Sequence, residues 1–528
     1  MSPATNRPPT SWICFLEIRL GAMPLSATRL RQVAALTAAA GIVFIVARHL
    51  FAVHGVLQRA LDGDESELLH AGWLMRAGLR LYRDFCEDHS PFLFTLLRRM
   101  VPEPWDLTTY IARARLFSGA CGLLATGAAA MLAYRISRGM IAPLVTLSTL
   151  LASPWVWYRG LNDVRNDPPT ILLFWLGALF LLGRWQSERL RLTLAGIGIG
   201  LVAIAALWNP KWPLESLVLG VAYLFVLRSA HGVRNVALAV IPPLSCVAAA
   251  LTWIVATVPL RDYLFFSFRY NQLFMEWFVR QPIMTNESFG GGRPYMFCDP
   301  AFRGIAPIVV IAAAVIIMRR RVPAGLLVLA AAATVEIRFI YSYPNIWPQY
   351  YLMWSFIAAC LYGITAARLL ELASDRVAAA AAIAVTIACA IAVHAMMPIG
   401  FTLNASPIRA YLQKKLRTGE TVWMLAGNHP IGVRDAGYYW FAMRDLTPFS
   451  IAYAAAHPGA TPLPVMTQGD LPVCRAERGL QPDLRFVSGI DFVDSMPEAQ
   501  RCLERLIASG RATRMIGDVW DLHPESAR

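Results

Sequence analysis

With 528 residues, 57% of them hydrophobic and only 16% charged, and a mean hydropathy of +0.48, the chain is too apolar for a soluble protein, whose charged fraction is about 25%. A net charge of +14 would suit a nucleic-acid binder, but no recognition motif accompanies it. In a polytopic membrane protein the same excess collects in cytoplasmic loops, so nucleic acid is not expected as a partner.

Apolar windows of about 20 residues, long enough to cross a bilayer, recur at 33–55, 113–134, 139–158, 167–183, 191–208, 212–228, 236–257, 304–318, 323–341, 350–367 and 377–397. They predict about eleven spans. No small-residue cleavage site follows the first, so it reads as an anchor rather than a signal peptide. Arg135, Arg138, Arg184, Arg189, Arg228, Arg234, Arg319, Arg320, Arg321 and Arg368 fall on one side, which the positive-inside rule makes cytoplasmic. Residues 1–32 are then a cytoplasmic segment, 33–399 a transmembrane domain, and 400–528 a domain outside the membrane.

The first external loop, 56–112, opens on Asp62-Gly63-Asp64-Glu65, and Asp64-Glu65-Ser66-Glu67 resembles the start of a capped helix. Gly78 would stop that helix, and Ser90-Pro91 would cap and start a second. Asp64 has two readings: a helix cap, or a general base facing water. They compete, because a carboxylate engaged by backbone N–H groups is a weaker base. A second external loop, 259–303, carries Tyr263, Phe265, Phe266, Phe268, Tyr270, Phe274, Trp277 and Phe278, as expected of an interfacial helix. Its Phe289-Gly290-Gly291-Gly292-Arg293-Pro294 stretch reads as a loop or a gate.

Between the third and fourth spans, Asp163 and Asp167 lie in Asn162-Asp163-Val164-Arg165-Asn166-Asp167-Pro168. By its position before Pro168, Asp167 reads as a cap for the next helix. Lys211 sits in the short turn Trp208-Asn209-Pro210-Lys211-Trp212-Pro213 and must reach water, Glu215 or a phosphate. Glu336 and Arg338 stand near the outer end of the ninth span; two residues apart, they do not share a helix face. His70, Glu87, Asp88 and His89 form a carboxylate–imidazole set beside Asp62 and Asp64. Oxygen ligands there would favour Mg²⁺ or Mn²⁺, and histidine brings in Zn²⁺. Gly196, Gly198 and Gly200, inside a span, read as a helix-packing surface rather than a nucleotide loop.

After residue 400 the composition turns polar. Strands are expected at Thr421–Leu425, Leu484–Val487 and Asp518–Leu522, with an amphipathic helix at Glu498–Ala508, which together make a small α/β domain. Of nine cysteines, Cys474 and Cys502 share this region, and their spacing alone leaves a disulfide open.

Asp62-Gly63-Asp64-Glu65, followed by Trp73, Gly78, Leu81-Tyr82-Arg83-Asp84-Phe85, Glu87 and His89-Ser90-Pro91, resembles the first external loop of GT-C membrane glycosyltransferases. The likeness is to bacterial relatives of protein O-mannosyltransferases and aminoarabinose transferases. Many relatives carry lysine before a proline pair, where this chain has His89-Ser90-Pro91. The resemblance implies an all-α polytopic fold with interfacial helices in the first loop and a small C-terminal α/β domain in the periplasm. The location would be the bacterial inner membrane. The implied reaction moves a sugar from a polyprenyl-phosphate donor to a lipid, glycan or protein acceptor on the outer face, with inversion. Asp64 would be the base, with Asp62 or Glu65 as neighbour and Asp167 as partner; Lys211, Arg338 and His89 would hold the lipid phosphate. No cofactor is specified; a divalent cation would find Asp62, Asp64 and His70. The competing classes are a transporter or lipid flippase, which would show repeats and midplane charges, and a non-catalytic scaffold.

Overall fold

The computed structural model describes residues 61–153 and 163–278 (except 62, 88 and 210), 323–342, 351–370, 407–424, 429–440, 443–488 and 496–522. It also describes isolated residues between 32 and 47, Val156 and Ala380. Asp62, Asp88, the Gly290–Gly292 stretch and the spans expected at 304–318 and 377–397 lie outside the described residues, as does most of 33–55.

The described residues between 107 and 370 are largely helical: α3 (Leu107–Ser137), α4 (Ile141–Ala152), α5 (Asp167–Leu182), α6 (Glu188–Trp208), α7 (Pro213–Arg228), α8 (Val233–Thr257), α11 (Ala324–Ser342) and α12 (Tyr351–Leu370). By length and composition, α3, α6 and α8 are long and apolar enough to cross a membrane. Helix α5 packs against α3 and α6, and α6 packs against α8. Helix α12 lies on α3 and α4, and α11 bridges α12 and α7.

The glycines of α6 make these approaches possible. A Cβ at Gly198 would sit 2.6 Å from the carbonyl oxygen of Gly177 on α5, and one at Gly177 would meet Gly198 in the same way. On another face of α6, a Cβ at Gly196 would lie 2.5 Å from the Ala239 carbonyl oxygen, and one at Gly200 2.7 Å from the Cys246 Cβ, both on α8. The expected packing surface therefore serves two neighbours at once.

Outside the spans lie α1 (Gly63–Arg76) and α2 (Pro91–Met100). Gly78, at φ +93°, ends α1 with paired bonds from its own N–H to Met75 O (3.3 Å) and from Leu79 N–H to Leu74 O (3.1 Å), the Schellman arrangement. Pro91 starts α2 as expected, but the Ser90 side chain makes no cap bond. The 259–278 region forms α9 (Leu260–Leu264), a π-helical turn (Phe265–Tyr270) and α10 (Asn271–Phe278).

The C-terminal residues form α13 (Pro407–Lys415), α14 (Met443–Ala456), α15 (Pro472–Glu477) and α16 (Pro497–Ala508) around a four-stranded sheet. Its strands are β2 (Thr421–Met424), β4 (Leu484–Ser488), β5 (Thr513–Ile516) and β6 (Val519–Asp521), in the order β2-β4-β6-β5; β2 and β4 are parallel and the other pairs antiparallel. A disulfide between Cys474 and Cys502 joins α15 to α16. A second pairing reaches back to the first loop: β1 (Phe85–Cys86) runs parallel to β3 (Tyr439–Trp440).

Replacing Gly198 with leucine is expected to push α5 and α6 apart and destabilise the protein by about 1–3 kcal/mol. A lowered midpoint for thermal unfolding of the detergent-purified protein would register it.

Candidate active site

Helix α1 turns Glu65 inward and Asp64 outward. The Glu65 carboxylate accepts two bonds from Arg115 of α3, from Nε at 2.7 Å and Nη2 at 2.6 Å, and both side chains are at most 1% exposed. The Val164 backbone N–H donates to the same carboxylate at 3.4 Å. Asp64, one position earlier, is 47% exposed and accepts from Arg165 Nη1. Arg165 also lies 3.6 Å from the buried carboxylate of Asp163.

The segment 163–167 continues into a second set. Trp208 Nε1 donates to the Asn166 side-chain oxygen at 3.1 Å. Asp167 is buried in the first turn of α5, where it accepts from Asn209 Nδ2 at 3.1 Å and from Lys211 Nζ at 3.1 and 3.3 Å. One short strap thus supplies Arg165 to the first acidic motif and Asp167 to the lysine turn.

His89 stands at the lip of α2, with Nδ1 3.0 Å from an oxygen of buried Glu87. Its carbonyl accepts from the Tyr82 hydroxyl at 2.6 Å. Tyr82 occupies a left-handed turn (φ +68°), and its own carbonyl accepts from Tyr438 at 3.0 Å. Burial pushes the Tyr82 phenol well above its ordinary range, so it remains a donor. Phe92 of α2 stacks on Trp208 with centroids 5.1 Å apart, bringing the lip against the outer end of α6.

Several expectations change. Asp64 and Glu65 occupy the first turn of α1, which begins at Gly63, and their carboxylates are taken by arginines rather than by the helix end. Asp167 likewise does not cap α5; Asn209 and Lys211 hold it. Lys211 is paired with Asp167, with its side chain 18% exposed. Arg338 is exposed on α11, two residues beyond buried Glu336. His70 does not join Asp64: six residues of α-helix rotate a side chain by about 240°, and His70 Nε2 meets Asp435 Oδ2 at 2.9 Å instead.

That contact belongs to a set absent from the sequence-based expectations. Asp435 also meets His429 Nε2 at 2.6 Å, and the two imidazole centroids are 4.0 Å apart. Burial, reinforced by His429, brings His70 down to about 4. Burial opposes ionisation of Asp435, but the two histidines outweigh it and hold its carboxyl at about 2. Arg115 was also missed. An arginine inside an apolar window is itself a signal, because such a charge needs a partner.

No protein family and no curated protein matches the sequence. Among solved structures, the chain is similar to ArnT from Cupriavidus metallidurans bound to undecaprenyl phosphate. The TM-score is 0.61 and the identity 17%, covering 92% of this chain and 98% of that one. The apo state of the same protein gives a TM-score of 0.61 and 17% identity over 91% and 97%. At this identity the likeness shows a shared fold.

Glu65→Gln would leave the buried Arg115 guanidinium without its counter-charge, so a loss of about 3–5 kcal/mol is expected. Chemical or thermal unfolding should show it, and Glu65→Gln combined with Arg115→Met should recover part of the loss.

Proposed function

We propose that this GT-C protein is a membrane glycosyltransferase that moves a sugar from a polyprenyl-phosphate donor to a hydroxyl-bearing acceptor at the outer face of the bacterial inner membrane, inverting the anomeric centre. The observation that carries the reading is the contrast among the acids. Glu65, Asp163 and Asp167 have side chains at most 1% exposed, while Asp64 is 47% exposed. Among the described residues of this cluster, Asp64 is thus the carboxylate that an acceptor can reach.

The acceptor oxygen attacks the anomeric carbon as the bond from that carbon to the donor phosphate oxygen breaks. The hydroxyl proton passes to Asp64, and the departing lipid phosphate keeps the electron pair. Arg165 orients Asp64. Lys211, 18% exposed and held by buried Asp167, is positioned to meet the phosphate charge, with His89 and Arg338 as further donors from the rim. Stabilising charge as it develops on the leaving group is the largest contribution a site of this kind can make. The undecaprenyl phosphate of the ArnT structure supports a lipid phosphate as the leaving group.

Asp64→Asn should lower transfer from a radiolabelled polyprenyl-phosphate sugar about 10²–10⁴-fold with little change in melting temperature. Undiminished transfer by folded Asp64→Asn protein would remove Asp64 as the base.

A further inference from the structure

The set His70, His429 and Asp435 has no part in the sugar-transfer reading. Three ligand atoms, one from each residue, lie within 4.8 Å of one another, and the side chains are at most 4% exposed. His429 and Asp435 are brought together by a tight turn at Gly432, whose φ of +92° favours glycine. A Cβ there would lie 2.7 Å from the Trp105 ring. Trp105 neighbours Trp73, which stacks on His70 with centroids 5.8 Å apart. The polar trio therefore sits inside an indole-lined shell.

The proton accounting at His429 decides what this set can do. Its Nδ1 is 3.0 Å from the Pro430 carbonyl oxygen, which only accepts, so Nδ1 carries a proton. A neutral ring then has a lone pair on Nε2, yet Nε2 faces Asp435 Oδ1 at 2.6 Å, another acceptor. Two lone pairs pointed at each other require either a proton shared between the imidazole and the carboxylate or a bridging cation. Held on the imidazole, that proton would put a full charge in the shell, with a second imidazole, that of His70, 4.0 Å away. A metal ion satisfies the lone pairs of both imidazoles and the carboxylate together. The Pro430 carbonyl then plays the part of the backbone group that fixes the tautomer of a metal-bound histidine.

We propose that His70, His429 and Asp435 bind a divalent transition-metal ion, with two nitrogens and one oxygen favouring zinc, that pins the C-terminal domain onto α1. A tetrahedral zinc with bonds near 2.0 Å holds its ligand atoms about 3.3 Å apart. The two N···O distances, 2.9 Å from His70 to Asp435 Oδ2 and 2.6 Å from His429 to Asp435 Oδ1, are shorter than this, so the three side chains need only draw apart by less than about 1 Å to admit the ion. The ligands come from segments far apart in the chain, since His70 and Asp435 are separated by 365 positions. The site therefore forms only when the C-terminal domain is docked. Because α1 also carries Asp64 and Glu65, the ion would brace the helix of the acidic motif at its middle, about two turns from those acids.

The test uses the full chain, purified in nanodiscs without a polyhistidine tag, stripped with chelator and titrated with Zn²⁺ or Co²⁺. One equivalent should bind, with the visible absorption of Co²⁺ in a low-symmetry N/O site, and the melting temperature should rise as the ion binds. His429→Gln and Asp435→Asn should each weaken Zn²⁺ binding by more than about 10-fold and abolish the Co²⁺ spectrum. The Co²⁺ spectrum of the wild-type chain tests the site even if a variant fails to fold. Absence of a stoichiometric site in the wild type, or an unchanged site in both variants, would overturn the proposal and leave the three side chains as a buried hydrogen-bonded cluster.

Discussion

The rest of the mouth depends on the buried Glu65–Arg115 pair. Arg115 sits two turns into a membrane-length helix, where an unmatched charge would be strongly unfavourable. Glu65 meets it with two parallel bonds, the geometry that a guanidinium and a carboxylate share best. The Val164 N–H adds a third contact, so α1, α3 and the 163–167 strap are tied at one point. Such a pair adds little net stability over well-packed apolar residues, but it permits few alternative arrangements. With Glu65 fixed inward, the helical step of about 100° sets Asp64 toward water.

A second constraint comes from the C-terminal residues, which grip the outer loops at several places. The β1–β3 pairing and the Tyr438 bond hold the Tyr82 turn, and through it the backbone at His89. Tyr270 hydrogen-bonds Ser450, and Phe449 lies among Tyr270, Phe274 and Trp277. Arg261 donates to the Ala460 carbonyl at 3.3 Å. The aromatic residues that suggested an interfacial helix thus serve in part as a docking surface. An aromatic-rich stretch is attractive to a lipid interface and to another protein surface for the same reason: large apolar area with a polar edge.

Local patterns were read well where the physics is local. Gly78 ends α1 because glycine alone enters the left-handed region freely, and Gly196, Gly198 and Gly200 admit neighbouring helices because they lack a Cβ. The strands at 421–424, 484–488 and 519–521 fall within a residue of the positions their β-branched and aromatic runs suggest. Capping logic failed at Asp64 and Asp167, which were taken instead by Arg165, Asn209 and Lys211. A bond between two charged groups is about twice as strong as a neutral one, and it outcompeted the helix N–H groups as partners.

The sequence by itself determined long apolar helices, the glycine contacts between them and the two acidic motifs, because hydropathy and missing side chains act over a few turns. Only the tertiary structure decided which acid faces water, where Lys211 is held and that His70 meets Asp435. Those outcomes depend on partners 50, 101, 44 and 365 positions away, and spacing along a chain carries no record of such pairings.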